Sequence, residues 1–236
     1  MTDAASSEST SDGADSRPMS TDEIRDTYAD RASWFARFDW LDRLFTGRYR
    51  RPLFSQASGR VLDVACGTGV NFPYLPESVD LVGVDLSPEM LAGARQQLDG
   101  LELDGELREM DAQELAFEDD SFDTVISSLS TCTFPDPVAA LREMERVCRP
   151  GGKILLLEHG RSDVGAIAKL QDWRADSHYE SMGCRLTQEP MEHVAAAGLN
   201  VRDARTAVLG ILTLIEADPA DEEPDLADEA AEPAGE

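Results

Sequence analysis

"VLDVACGTGVNF" (61–72) begins as an apolar strand, runs into a Gly-Thr-Gly corner and then loses strand character. Val61, Leu62 and Val64 suit a buried strand, and Gly67 and Gly69 supply the backbone freedom of a tight turn. Working outward, "RVLDVAC" (60–66), "LVGVDL" (81–86), "ELREMDA" (106–112), "DTVISS" (123–128) and "KILLLEH" (153–159) predict five short buried strands, each followed by a turn or a helical pattern. That order implies a parallel α/β sheet. Ser87-Pro88 caps a helix over "SPEMLAGARQQL", and Asp136-Pro137 caps "DPVAALREMERVC", with Val138, Leu141, Met144 and Cys148 on one face. "RPGG" (149–152) ends that helix. Upstream, "TDEIRDTYADRASWFARFDWLDRLF" (21–45) predicts one or two amphipathic helices over a sheet edge. Downstream, 164–180 and 187–198 read as helices, and 200–217 as two strands around Leu209-Gly210. The expected organisation is a disordered acidic tail over 1–20, one domain over 21–217 with an N-terminal helical cap (21–58), and a second disordered acidic tail over 218–236.

A glycine corner after the first strand of such a sheet sits at the carboxyl edge, where α/β folds bind ligands. Three ligands compete for it. A triphosphate-binding loop needs G-x-x-x-x-G-K-[ST], and no Lys follows here. A dinucleotide fold wants G-x-G-x-x-G, and "GTGVNF" puts Phe72 at the third glycine. S-adenosylmethionine needs close backbone approach at Gly67 and Gly69 but no pyrophosphate cradle.

Four stretches in order, "VLDVACGTG", "GVDLSPEML", "MDAQELAFEDDSFDTVISS" and "LREMERVCRPGGKILLLEHG", resemble the successive motifs of class I S-adenosylmethionine-dependent methyltransferases. The resemblance implies a Rossmann-like seven-stranded, mostly parallel sheet with helices on both faces and an antiparallel last strand. It also implies S-adenosyl-L-methionine as cofactor. Ala65 stands where the family's pattern has its first glycine.

The residues acquire roles on this footing. Asp85, followed by Leu86, ends the second strand, and a carboxylate that only accepts hydrogen bonds suits two adjacent ribose hydroxyls. By resemblance, Asp63 orients the corner made by Ala65, Cys66, Gly67 and Gly69 and the methionine end of the cofactor. Asp111 with Ala112 resembles the adenine-contacting position. Ser128 and "SLSTCTF" lead towards the methyl group. His159, at the end of the fifth strand, is the candidate general base or acceptor-positioning group, with a structural hydrogen-bonding histidine as the alternative. Tyr28 resembles the tyrosine that many of these enzymes bring over the cofactor, and Trp34, Phe35 and Trp40 read as edge-of-core aromatics. His178 and His193 read as helix-surface residues.

Composition bounds the partners. The formal charge is −26 over 236 residues; 1–23 and 216–236 carry −5 and −10, leaving −11 on 24–215. With two lysines among 21 basic residues, the surface resembles the acidic, lysine-poor kind that halophilic proteins use to stay soluble in salt. A nucleic-acid partner is not expected, because no basic stripe is present. The longest apolar run, "AVLGILTLI", is too short to span a bilayer, and the first 23 residues have no signal-like core, so a cytoplasmic protein without a stable membrane anchor is expected. Cys66, Cys132, Cys148 and Cys184 lack C-x-x-C spacing, which argues against a disulfide framework or a metal site and for small core residues. "CGTGVNFPYLP" and "GCRLTQEPMEHVAAAGL" resemble the methyltransferase-like thiol and phospholipid N-methyltransferase group, with ubiquinone/menaquinone methyltransferases as relatives. A small-molecule acceptor is expected: a thiol, an amine or a quinone-like ring. A quinone or phospholipid methyltransferase, or a non-catalytic nucleotide-binding protein, is the alternative.

Overall fold

The computed structural model describes residues 17–219. The expected tails, apart from the few residues next to the domain, lie outside the described residues. Seven strands run β1 (Arg60–Val64), β2 (Asp80–Asp85), β3 (Gly105–Glu109), β4 (Phe122–Ser128), β5 (Cys148–His159), β6 (Asn200–Ala207) and β7 (Leu212–Asp218). Five helices join them: α1 (Thr21–Phe54), α2 (Pro88–Leu98), α3 (Pro137–Val147), α4 (Gly165–Met182) and α5 (Pro190–Ala197). The sheet order is β3-β2-β1-β4-β5-β7-β6. Strands β1 to β5 pair in parallel, and β7 is antiparallel to both its neighbours. This is the expected Rossmann-like architecture with its antiparallel last strand.

The central strands β1, β2 and β4 and the second half of β5 are buried almost throughout because both faces are covered, whereas β3, expected to be buried, and β6 are polar and largely exposed. Period-two alternation sorts the central strands into two cores. Leu62, Val64, Val82, Val84, Val125 and Leu156 face α3 and α5, where Leu141, Met144 and Val194 complete one cluster. Val61, Leu81, Ile126, Leu155 and Leu157 face the other way, against Leu53 and Phe54 of α1 and Leu91 and Ala94 of α2. The predicted helix caps form as read: Ser87 Oγ accepts from Met90 N at 3.2 Å, and an Asp136 carboxylate oxygen accepts from Ala139 N at 2.9 Å.

The N-terminal segment is one helix of 34 residues, within the one or two expected, opened by a capping box between Ser20 and Glu23. Its middle does not seat on the core: Trp34 is 55% and Trp40 61% exposed, so these are not edge-of-core aromatics. The fifth strand begins at Cys148 rather than after the "RPGG" turn, with a register shift where β4 pairs with it. Among the described residues, no helix is long and apolar enough to cross a membrane.

Sheet order reverses between β1 and β4, so their connections diverge to opposite faces and leave a crevice at the carboxyl edge. The glycine corner opens into that crevice.

Candidate active site

The corner after β1 is held by backbone: Cys66 N–H donates to Val84 O at 2.9 Å, Gly69 N–H to Cys66 O at 2.9 Å, and Phe72 N–H to Gly69 O at 3.1 Å. Ala65 (φ 54°), Gly67 (φ 57°) and Gly69 (φ 81°) all take left-handed backbone. The Ala65 site therefore demands the conformation that glycine favours, and alanine holds it against its Cβ. The two glycines serve different ends. A Cβ on Gly67 would meet nothing closer than Met90 Cε at 4.0 Å, so this position is open towards the cleft. A Cβ on Gly69 would lie 2.6 Å from the Phe72 ring and 3.3 Å from Ala94 Cα. Gly69 thus lets the corner pack on Phe72 and α2, and of the two glycines Gly67 alone lines the cleft.

Asp85 faces the corner. Its Oδ2 accepts from Gly67 N at 2.8 Å and its Oδ1 from Ser87 N at 2.9 Å, leaving each oxygen a further lone pair for a ligand hydroxyl. Burial pushes its pKa up to about 6, against the backbone donors of Ser87 and Gly67. Asp63 lies one layer deeper, fully buried, with both carboxylate oxygens 3.1 Å from Asn71 Nδ2. Burial pushes its pKa up to about 7, and Asn71 and the Arg50 charge oppose that rise.

Arg50, 3% exposed, ties this acid layer to α1. Its Nε donates to Thr46 Oγ1 at 2.9 Å, Nη1 to Asn71 Oδ1 and to Ser128 Oγ (2.5 Å for the latter), and Nη2 to Asp42 Oδ2 at 3.1 Å. Sequence reasoning missed Arg50 and Asn71. The signal available was Asp63 itself, since a buried carboxylate requires a donor, but nothing local says which residue supplies it. A second clamp joins α1 to the corner, where Thr68 Oγ1 donates to the Asp39 carboxylate at 2.9 Å.

The cleft occupies about 1090 Å³ including its mouth. Its lining includes Ala65, Cys66 and Gly67 of the corner, Asp85 and Leu86 after β2, Asp111 and Ala112 after β3, and Ser128 at the end of β4. Tyr28 and Arg50 of α1 line it as well. Asp111, two residues beyond β3, accepts from Gln113 N at 2.9 Å and Thr21 Oγ1 at 3.3 Å. Tyr28 stacks on Phe35 with ring centroids 5.7 Å apart, and burial holds its phenol well above the usual range, so it stays a protonated donor. Asp63, Gly69 and His159 are not on this wall.

An open glycine, a two-acceptor carboxylate beside it and a buried cation suit S-adenosylmethionine: a ribose diol at Asp85, close backbone approach at Gly67 and a carboxylate-bearing end near Arg50. Residues 62–156 match the family described as "Methyltransferase domain". The chain carries a class I S-adenosylmethionine-dependent methyltransferase domain. It is 44% identical over 115 residues to phosphatidylethanolamine N-methyltransferase of Cereibacter sphaeroides, covering 48% of this chain and 57% of that one. It is 33% identical over 132 residues to ubiquinone/menaquinone biosynthesis C-methyltransferase of Bdellovibrio bacteriovorus, covering 55% and 56%. The chain spans about half the length of the curated relatives it matches. In fold it resembles a putative methyltransferase solved in complex with the Haloferax volcanii Trm112 methyltransferase activator, with TM-score 0.66, 20% identity, and coverage of 86% of this chain and 99% of that one.

The methyltransferase domain holds His159 behind the wall, not on it. Its Nε2 lies 3.2 Å from Cys184 Sγ, and Cys132 completes a group whose ligand atoms all lie within 4.8 Å of one another. The Cys184 thiol is lowered by its hydrogen bond to Cys132, then by His159, while Cys132 is raised as the partner that keeps its proton. Burial works against the His159 imidazolium, but Cys184 outweighs it and the imidazole pKa is raised. The adjacent Glu158 is fully buried and accepts from Ser130 N at 3.2 Å and Thr131 N at 3.3 Å. All four cysteines are buried as expected, yet two of them stand in a polar cluster that no sequence spacing reveals. His193 is half-buried rather than on an open helix face.

Proposed function

We propose that this chain transfers a methyl group from S-adenosylmethionine to a small-molecule acceptor, a thiol, an amine or a quinone-like ring. The observation that carries the reading is the pairing of Asp85 with Gly67: a buried carboxylate that only accepts hydrogen bonds, beside the corner glycine that lines the cleft. When bound, the cofactor supplies a methyl already made electrophilic by its sulfonium, so the protein's task is chiefly to hold donor and acceptor in line.

Asp85 accepts from ribose, Asp111 and Ala112 border the adenine, and Arg50 with Ser128 orients the methionine end. Tyr28 excludes water and offers a hydroxyl donor. His159 is engaged by Cys184, so it acts on an acceptor only through its cluster, and placement carries most of the rate. An amine of a phospholipid headgroup is the second reading. It is supported by the similarity to the Cereibacter sphaeroides enzyme, whose name gives phosphatidylethanolamine as its substrate.

Calorimetric titration of the purified chain with S-adenosylhomocysteine and with NAD separates a methyltransferase from a dinucleotide-binding protein. Only the first is expected to bind. Release of S-adenosylhomocysteine is then followed against small thiols, amines, quinols and dispersed phosphatidylethanolamine. Turnover of a soluble acceptor supports the main reading; turnover of the lipid alone replaces it with the second; NAD binding in place of S-adenosylhomocysteine overturns both.

A further inference from the structure

The Cys132, His159 and Cys184 group is drawn from three separate parts of the fold. Cys132 sits in the connection after β4, His159 ends β5, and Cys184 follows Gly183, whose left-handed backbone (φ 65°) turns the chain off the end of α4. These parts are stitched together. Arg185 N–H donates to Cys132 O at 3.0 Å, and its guanidinium to Phe134 O at 2.7 Å. Gln188 Nε2 donates to His159 O at 2.8 Å and to Thr131 Oγ1 at 3.1 Å. The three segments that carry these side chains are therefore joined by hydrogen bonds and not by packing alone, the kind of support that a preorganised site requires.

The chemistry of the set is specific. Two sulfur ligands and one imidazole make a soft, borderline donor set that selects zinc-class cations over magnesium or calcium. With metal–sulfur and metal–nitrogen bonds near 2.3 and 2.0–2.1 Å, a tetrahedral site places its ligand atoms about 3.5–3.8 Å apart. The three atoms here already lie within 4.8 Å, one pair at 3.2 Å, so an ion requires shifts of about 1 Å or less. Inert cysteines would pack against apolar side chains; these two face a histidine. We propose that Cys132, His159 and Cys184 bind one thiophilic divalent cation of the zinc class. Cys132 is flanked by Ser130 and Thr133, both on the cleft wall, so the site stands directly behind the cleft. The proposal does not depend on the methyl-transfer reading, because metal binding is measured without turnover.

The test uses the full chain, stripped with a chelator, kept reduced and titrated with Co²⁺ and Zn²⁺. One equivalent of Co²⁺ should give thiolate-to-cobalt charge transfer and the visible bands of a tetrahedral site, and Zn²⁺ should displace it and raise the melting temperature. Cys132→Ser, Cys184→Ser and His159→Gln should each weaken zinc binding about a hundredfold or more, whereas Cys148→Ser, at a buried cysteine elsewhere, should leave it unchanged. If the ligand variants fail to fold, the wild-type cobalt spectrum decides alone: sulfur charge transfer supports the site, and its absence overturns it. A Cys132–Cys184 disulfide in the chain isolated under reducing conditions, or equal loss in Cys148→Ser, also overturns it.

Discussion

The two halves of the cleft are built on different principles. On the β1–β2 side, the backbone turn from Ala65 to Phe72 and the Asp85 carboxylate are shaped by short-range hydrogen bonds within the same or the next strand–turn unit, although the side chains of Thr68 and Asn71 are also held from α1. Beyond β4, the site is assembled from side chains far apart in sequence: Arg50 reaching Asn71 and Ser128, and Cys132 meeting His159 and Cys184. The difference teaches that a backbone corner can be written into local turns. The side beyond β4 depends on long-range convergence, which local sequence does not encode.

The comparison is tested most severely at Arg50, the one long-range residue that ties α1 to both halves. Arg50→Ala leaves Asp42, Asn71 and Ser128 short of a buried donor and should destabilise the protein by about 3–5 kcal/mol. Denaturant midpoints measure this; a loss below about 1 kcal/mol would mean that the α1 clamp is dispensable.

A smaller effect is expected on the local side. Asp85→Ala should cost about 1.5–3 kcal/mol of cofactor binding, ten- to hundredfold in Kd, while the fold persists. An unchanged S-adenosylhomocysteine Kd by calorimetry would remove Asp85 from the site. The pH dependence sharpens the same point, because the pKa of about 6 lies above the reference value of 3.8. The group's contribution to stability of the free protein is fully present below the reference value and lost as pH rises through about 6, and Asp63 adds in the same direction up to about 7. Cofactor binding requires the ionised acceptor, so affinity should instead weaken as pH falls through about 6. Parallel trends in stability and affinity would contradict the assignment.

The smallest expected effect lies at Ala65. Its left-handed backbone costs alanine about 1–2 kcal/mol, and glycine gives back part of that through the unfolded chain. Ala65→Gly should therefore stabilise by about 0.5–1 kcal/mol with cofactor affinity held within about twofold. Destabilisation would show that the alanine methyl contributes packing that its backbone strain conceals.

What the sequence by itself determined was everything that depends on near neighbours. Short apolar runs located the central strands, Ser87-Pro88 and Asp136-Pro137 located two helix starts, and Gly67 with Gly69 located the corner after the first strand, because turns and caps are settled within a few residues. The resemblance of four ordered motifs supplied the sheet's topology and its antiparallel last strand. Only the tertiary structure decided that Gly69 packs on Phe72, that α1 exposes Trp34 and Trp40, and that Arg50 satisfies Asp63 through Asn71. It alone brought His159 to Cys184, behind the wall where the sequence suggested a base. Such contacts join residues with no periodic or spacing relation, and chain order carries no trace of them until the sheet has stacked its strands.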